Sequence, residues 1–166
     1  MSSSSKRRSV AGLTFIELLV TLVILSVLAM AALPYAELTV RRERELALRS
    51  ALREVRGAID AFHDDWRAGR MAQDAQAASA DGYPRTLQVL VDGVDSGRVG
   101  GGRRYYLRRI PRDPMAESAA MSPAAQWLLR GYQDSPDAPG WNGRDVYDLR
   151  SASSAQAIDT TYYRDW

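Results

Sequence analysis

The sequence predicts an α+β protein, a long N-terminal helix followed by a small head that carries a short antiparallel sheet. Three observations predict it. Residues Leu18 to Leu33 carry no charge and are almost all Leu, Val, Ile, Ala or Met. Leu48, Leu52, Val55, Ile59, Phe62 and Trp66 then recur at steps of four, three, four, three and four, which is one face of a helix. In the last third, two strand-like runs, 126–132 and 145–149, flank a loop marked by Pro136, Pro139, Gly140 and Gly143.

The chain has 166 residues. Residues 1–12 are polar, Ser-rich and basic, and read as a leader rather than as structure. The apolar helix follows over 13–34. Counted from Leu13 it is about 30 Å long at 1.5 Å per residue, enough to cross a bilayer core. Lys6, Arg7 and Arg8 precede it, which places the N-terminus in the cytoplasm. An ordinary secretory signal is a poor fit, because the apolar run is too long and no small-x-small site follows it before Pro34. Glu17 sits at the edge of the run, where a carboxylate is costly unless it is paired or protonated. Pro34 removes one helical hydrogen bond and predicts a kink or local melting.

Residues 35–67 are an amphipathic helix. The Leu48-to-Trp66 stripe is its buried face, packed onto the chain's own head, and the Arg and Glu residues fill the other faces. Glu45 and Arg49 are spaced to pair along the helix. The helix is expected to end near Gly69, and 68–166 form the head. Pro84 opens a short helix whose apolar side is Leu87, Leu90 and Val91. Gly93 to Gly102 reads as a mobile loop. Pro111, Asp113 and Pro114 make a rigid turn. The tail from Thr160 to Trp166 is aromatic and suited to capping the sheet.

Several chemistries are disfavoured. The chain has no Cys and one His. His63 would have to serve any Ser-His-Asp site, and no nucleophile elbow is present, so it reads as exposed or helix-capping. The usual zinc ligands are missing, and no Lys-Ser or Lys-Thr follows the glycines. Adjacent Asp64 and Asp65 point different ways on a helix and read as solvated charge. The net charge of +2 includes the three leader cations, so the remainder carries −1, and the basic pI says little about partners. Arg98, Arg103, Arg104, Arg108, Arg109 and Arg112 beside Tyr105 and Tyr106 form the best nucleic-acid candidate. Arg is common along the whole chain, however, so nucleic acid is not expected as a partner. No enzymatic activity and no cofactor are expected.

Gly12 followed by Leu13-Thr14-Phe15-Ile16-Glu17, a basic leader before it and an apolar helix after it, resembles the signal of type IV pilins and type II secretion pseudopilins. Three later stretches match in order, Tyr83 to Leu90, Tyr105 to Pro114 and Pro139 to Tyr147, and Tyr147-Asp148-Leu149 aligns with the start of the last loop. The chain thereby looks most like the major, G-type pseudopilin. The resemblance implies cleavage after Gly12 by the prepilin peptidase, methylation of the Leu13 amine, an assembly role for Glu17 and a helix kink at Pro34. It also implies a single-pass inner-membrane protein with a cytoplasmic N-terminus and a periplasmic head, later part of a periplasmic pseudopilus that drives protein export. Its partners would be copies of itself, other pseudopilins, the prepilin peptidase, the inner-membrane assembly platform with its ATPase, and inner-membrane lipid. The alternatives are a type IV pilus pilin for adhesion, motility or DNA uptake, and a membrane-anchored periplasmic enzyme. One departure stands out. The major pseudopilin carries a calcium site in its last loop, and here its first ligand Asp falls on Ala152, with Arg150 beside it. Asp148, Asp159 and Asp165 make no complete oxygen set. No metal is therefore expected, and the tail is expected to be held by packing of Tyr147, Ile158, Tyr162, Tyr163 and Trp166.

Overall fold

The structure is a computed structural model. It describes residues 12–166 except positions 73, 75, 98, 99 and 119, and only the backbone of 31–34 and 36. Helix α1 spans Phe15–Arg67. It begins on Thr14, whose hydroxyl accepts the Glu17 N–H at 3.3 Å. Thr-x-x-Glu is the sequence of a capping box, and Glu17 in the first turn also favours the helix dipole. The helix ends where Gly69 turns to φ 62°. There the Gly69 N–H reaches the Trp66 carbonyl at 3.0 Å and the Arg70 N–H reaches the Asp65 carbonyl at 2.9 Å, the two bonds of a Schellman ending. The backbone is helical throughout, through Pro34 included. The side chain of Pro34, and with it the cause of the expected kink, lies outside the described residues. The leader 1–11 also lies outside them.

The chain divides into two compact units, Met1–Val40 and Arg41–Trp166. In the first, the described residues are helix and little else. In the second, the lower stripe of α1 forms the core: Leu48, Leu52, Val55, Ile59 and Phe62 are buried, as their spacing predicts. Helix α2, Leu87–Asp92, lays Leu87 and Leu90 on that stripe. Each such side chain contributes roughly 1.5–3 kcal/mol when fully buried. Trp66, expected to close the stripe, is only half-buried and lies over Gly82. A Cβ at Gly82 would come within 2.2 Å of the Trp66 ring, so the φ of 83° and the close approach both require glycine.

Strands β1, Val94–Asp95, and β2, Arg103–Arg104, pair antiparallel and close the glycine-rich segment at its base. A mobile loop was expected there. The pairing is two residues long, too short to leave a period-2 signal. A second antiparallel pair joins β3, Trp127–Arg130, to β4, Asp148–Ser151, with Trp127 opposite Ser151 and Arg130 opposite Asp148. These are the two expected strands, β4 displaced toward the C-terminus. The Pro111–Pro114 turn is fastened to them. Asp113, buried, accepts the Ser151 hydroxyl at 2.6 Å and the Met115 N–H at 2.8 Å, and the Trp127 indole donates to the Pro111 carbonyl at 3.0 Å. The tail ends in a 3-10 turn, Tyr163–Asp165.

Candidate functional site

The N-terminal segment, where processing and assembly are expected, is an exposed turn leading into a helix. Gly12 is exposed ahead of the helix, and a Cβ built on it would meet nothing within 4 Å. Nothing described in this fold requires glycine at that position. Leu13, Phe15 and Ile16 are about two-thirds or more exposed, at 68%, 77% and 69%. Every large apolar side chain described from there to Met30 is exposed on all sides of the helix. Thr21 and Ser26 turn their hydroxyls back to the Leu18 and Leu22 carbonyls, at 2.9 and 2.8 Å, so they need no outside partner. A helix apolar all round is buried in lipid or among other helices. Among the described residues, no helix is long and apolar enough to cross a membrane. The expected span includes 31–34, whose side chains lie outside them. Glu17 is the one charged group in this stretch, exposed in the first turn.

The C-terminal loop, which holds the carboxylates weighed as metal ligands, is fastened by charged side chains of α1. Arg41 donates to the Gln156 carbonyl and to the Tyr163 hydroxyl. Glu45, buried, accepts the Ile158 N–H at 2.8 Å and the Tyr163 hydroxyl at 2.9 Å. Arg49 pairs with Asp159 at 3.3 Å and lies over the Trp166 ring. Arg56 pairs with Asp148 at 2.8 Å and donates to the main-chain carbonyls of Leu149 and Trp166. Asp148 also meets Arg130, and Asp165 meets Arg164. The Thr161 hydroxyl and N–H, with Arg49 near, hold the Asp159 carboxyl below the usual range. All three carboxylates that remained as metal ligands thus face guanidinium groups. Among the described residues no three acidic, His or Cys side chains gather.

This corrects two expectations. The tail is not held by five packed side chains: of Tyr147, Ile158, Tyr162, Tyr163 and Trp166, only Tyr163 is fully buried. Glu45 does not pair with Arg49 along the helix, because both reach across to the tail.

Asp65 corrects a third. It is 1% exposed, and its carboxylate takes Arg70 at 2.7 Å, Arg104 at 2.5 Å and the Tyr106 hydroxyl at 2.9 Å. Burial pushes its pKa up, but the bonds from Arg70 and Tyr106 and the charge of Arg104 outweigh it and hold the group below the usual range. Burial and the Asp65 carboxylate together push the Tyr106 hydroxyl well above its ordinary value. Asp64, its neighbour, is exposed as expected.

The Arg and Tyr residues read as a nucleic-acid candidate are therefore partly committed inside the head. Arg104 and Tyr106 hold Asp65, Arg103 donates to the Gly93 carbonyl, and Arg98 lies outside the described residues. His63 is half-buried, stacked on Tyr83 with ring centroids 4.2 Å apart and Nδ1 at 3.3 Å from the Gly82 carbonyl. It lies near the helix end as expected, but it is not exposed and does not cap the helix. What sequence reasoning missed at the N-terminus is the role of Thr14. The capping-box spacing of Thr14 and Glu17 was the available signal.

Residues 7–33 match the prokaryotic N-terminal methylation motif. No curated protein and no solved structure matches the chain. The motif is consistent with a membrane-anchored protein. A prepilin-type methylation motif on a long helix, followed by a small head with short antiparallel sheets, supports a type IV pilin-like protein.

Proposed function

We propose that the chain is a pseudopilin of a type II secretion system, processed after Gly12, methylated at Leu13, and polymerised into a periplasmic filament that drives protein export. The observation that carries this reading is the exposed apolar helix that starts with Glu17 in its capped first turn, directly behind Gly12 of the methylation motif. The apolar surface has no partner within the described chain, so it calls for lipid before assembly and neighbouring helices after it. Glu17 at membrane depth calls for a cation, and the amine of Leu13 on the next subunit supplies one once the leader is gone. Gly12 has no structural task here, which fits a demand made by the peptidase that must pass the backbone through its site. No bond chemistry is assigned to the head. Its role is to be carried by the filament and to meet other pseudopilins and the assembly platform. The absence of Cys favours this reading over the type IV pilins that close their last loop with a disulfide.

The test is a strain lacking this chain. Secreted proteins should accumulate in the periplasm, and wild-type protein should restore export. Unchanged export together with lost surface pili, motility or DNA uptake would assign the chain to a type IV pilus instead.

A further inference from the structure

The head carries an open groove of about 540 Å³ that the secretion reading does not use. All four residues of β3 line it, together with Trp141 and, from the neighbouring β4, Arg150. Strand β3 pairs with β4 on one side, and no other strand joins that sheet among the described residues. The far side of β4 is occupied, since Arg56 donates to the Leu149 carbonyl there and Tyr163–Asp165 packs beside it. The open edge of the sheet is therefore that of β3. Natural proteins commonly guard such an edge with Lys, Pro, a bulge or extreme shortness. β3 is short, at four residues, and carries one charged residue, Arg130, but it has no Lys, Pro or bulge and leaves Leu128 43% exposed.

The groove is apolar with one sign of charge. Its charged lining residues are Arg130 and Arg150, and no Asp or Glu lines it. Arg130 is shared with Asp148 and the Tyr147 ring. The Arg150 side chain makes no ion pair or hydrogen bond among the described residues, and the residue stands opposite Leu128 in the β3–β4 register. The facing wall is fixed in advance. Asp134 accepts the N–H groups of Gly131 at 2.8 Å and Asn142 at 3.2 Å, and the Trp141 indole donates to the Asp145 carbonyl at 2.5 Å. A wall already ordered lowers the entropy cost of binding.

We propose that this groove receives an extended, acidic segment of another polypeptide, added to β3 as a third strand. Main-chain bonds to the open edge supply the affinity, and Arg150 and Arg130 select acidic side chains that alternate with apolar ones over Leu128 and Trp141. A second copy of this chain is the poorer occupant, because pairing β3 with its own copy sets the same guanidinium groups against each other.

The experiment uses the full chain in an uncharged detergent and measures fluorescence anisotropy of a labelled peptide, acetyl-Val-Glu-Val-Asp-Val-Glu-Val. Two controls carry Lys in place of the acids, or N-methyl groups on alternate amides. The acidic peptide should bind saturably, and both controls should bind at least about ten-fold more weakly. Arg150→Glu should lose about ten-fold for the acidic peptide. Arg150→Gln serves if the Glu variant loses its circular dichroism, and it should weaken binding in the same direction. Equal binding of the Lys peptide would overturn the charge selection. Equal binding of the N-methylated peptide would make the groove a site for apolar anions and overturn strand addition. No saturation below about 1 mM would overturn the site altogether, as would self-association abolished by Arg150→Glu, which would make a second copy the occupant. None of these outcomes depends on whether the chain supports secretion.

Discussion

Replacing Asp65 by Asn tests the least expected feature of the head. The carboxylate is 1% exposed and accepts from three groups, Arg70, Arg104 and Tyr106. Asn keeps the size and one acceptor oxygen, enough for the Tyr106 hydroxyl, but turns an amide donor toward two guanidinium groups. Removing one partner of a buried ion pair costs about 3–5 kcal/mol. Here both arginines are about half exposed, at 48% and 52%, and can turn to water, so about 2–3 kcal/mol is expected. For a domain of this size that is a fall of about 6–15 °C in the unfolding midpoint. The assay is a thermal melt of the purified chain in detergent, beside Asp64→Asn. The exposed neighbour should change stability by no more than about 0.5 kcal/mol. The pH dependence has a definite sign. Asp65 titrates lower in the folded protein than in the unfolded chain, so its contribution is full above the unfolded value of about 3.9 and is lost as pH falls through the folded value. Tyr106 titrates higher when folded, so its contribution is full below about 10 and is lost as pH rises through the folded value. The gap between wild type and Asp65→Asn should therefore be widest near neutrality and close at low pH. Equal melts for Asp65→Asn and Asp64→Asn at pH 7 would refute the reasoning.

Glu45→Ala should cost about 2–4 kcal/mol, because the Ile158 N–H and the Tyr163 hydroxyl lose their acceptor; an unchanged exchange rate of the Ile158 amide would remove Glu45 as the tail's anchor. Glu17→Ala removes the carboxylate proposed to meet the Leu13 amine of the next subunit, so the variant should insert and be cleaved yet assemble poorly. Normal filament yield would exclude the assembly role. The melting midpoint of the full chain should stay within about 1 °C between millimolar calcium and a chelator, since arginines face Asp148, Asp159 and Asp165. A fall of many degrees in chelator would show a working ion site.

The elements that repeat along the sequence were the legible ones. The stripe from Leu48 to Phe62 reports its own buried face, since a helix core is written at every third or fourth residue. The short helix after Pro84 and the two strands around the Pro136–Gly143 loop were legible from apolar spacing and turn residues, but the helix starts at Leu87 behind Thr86 and not on Pro84, which sits in a bridge with Ala78. The polar interior was not. Asp65 is buried because Arg104 and Tyr106 come to it from a distant hairpin, and Glu45 because Tyr163 and Ile158 fold back across α1. Spacing places Asp65, three residues after Phe62 and seven after Ala58, on the buried face and leaves Asp64 off it. What spacing along one helix could not show is the partners that let a carboxylate sit there, because Arg104 and Tyr106 are remote in sequence. The tail went the same way: aromatic composition pointed to packing, whereas four charged side chains of α1 hold it. At the N-terminus the motif from Gly12 to Glu17 was legible as a string, and the structure adds that Thr14 caps the turn that presents Glu17.

The central claim is that Gly12 is a cleavage point and Leu13 the first mature residue. Mass spectrometry of the N-terminal peptide, from cells with an active prepilin peptidase, tests it most directly. The expected peptide begins at Leu13 and carries one methyl group on its amine. A protein that retains residues 1–12 in those cells would contradict it.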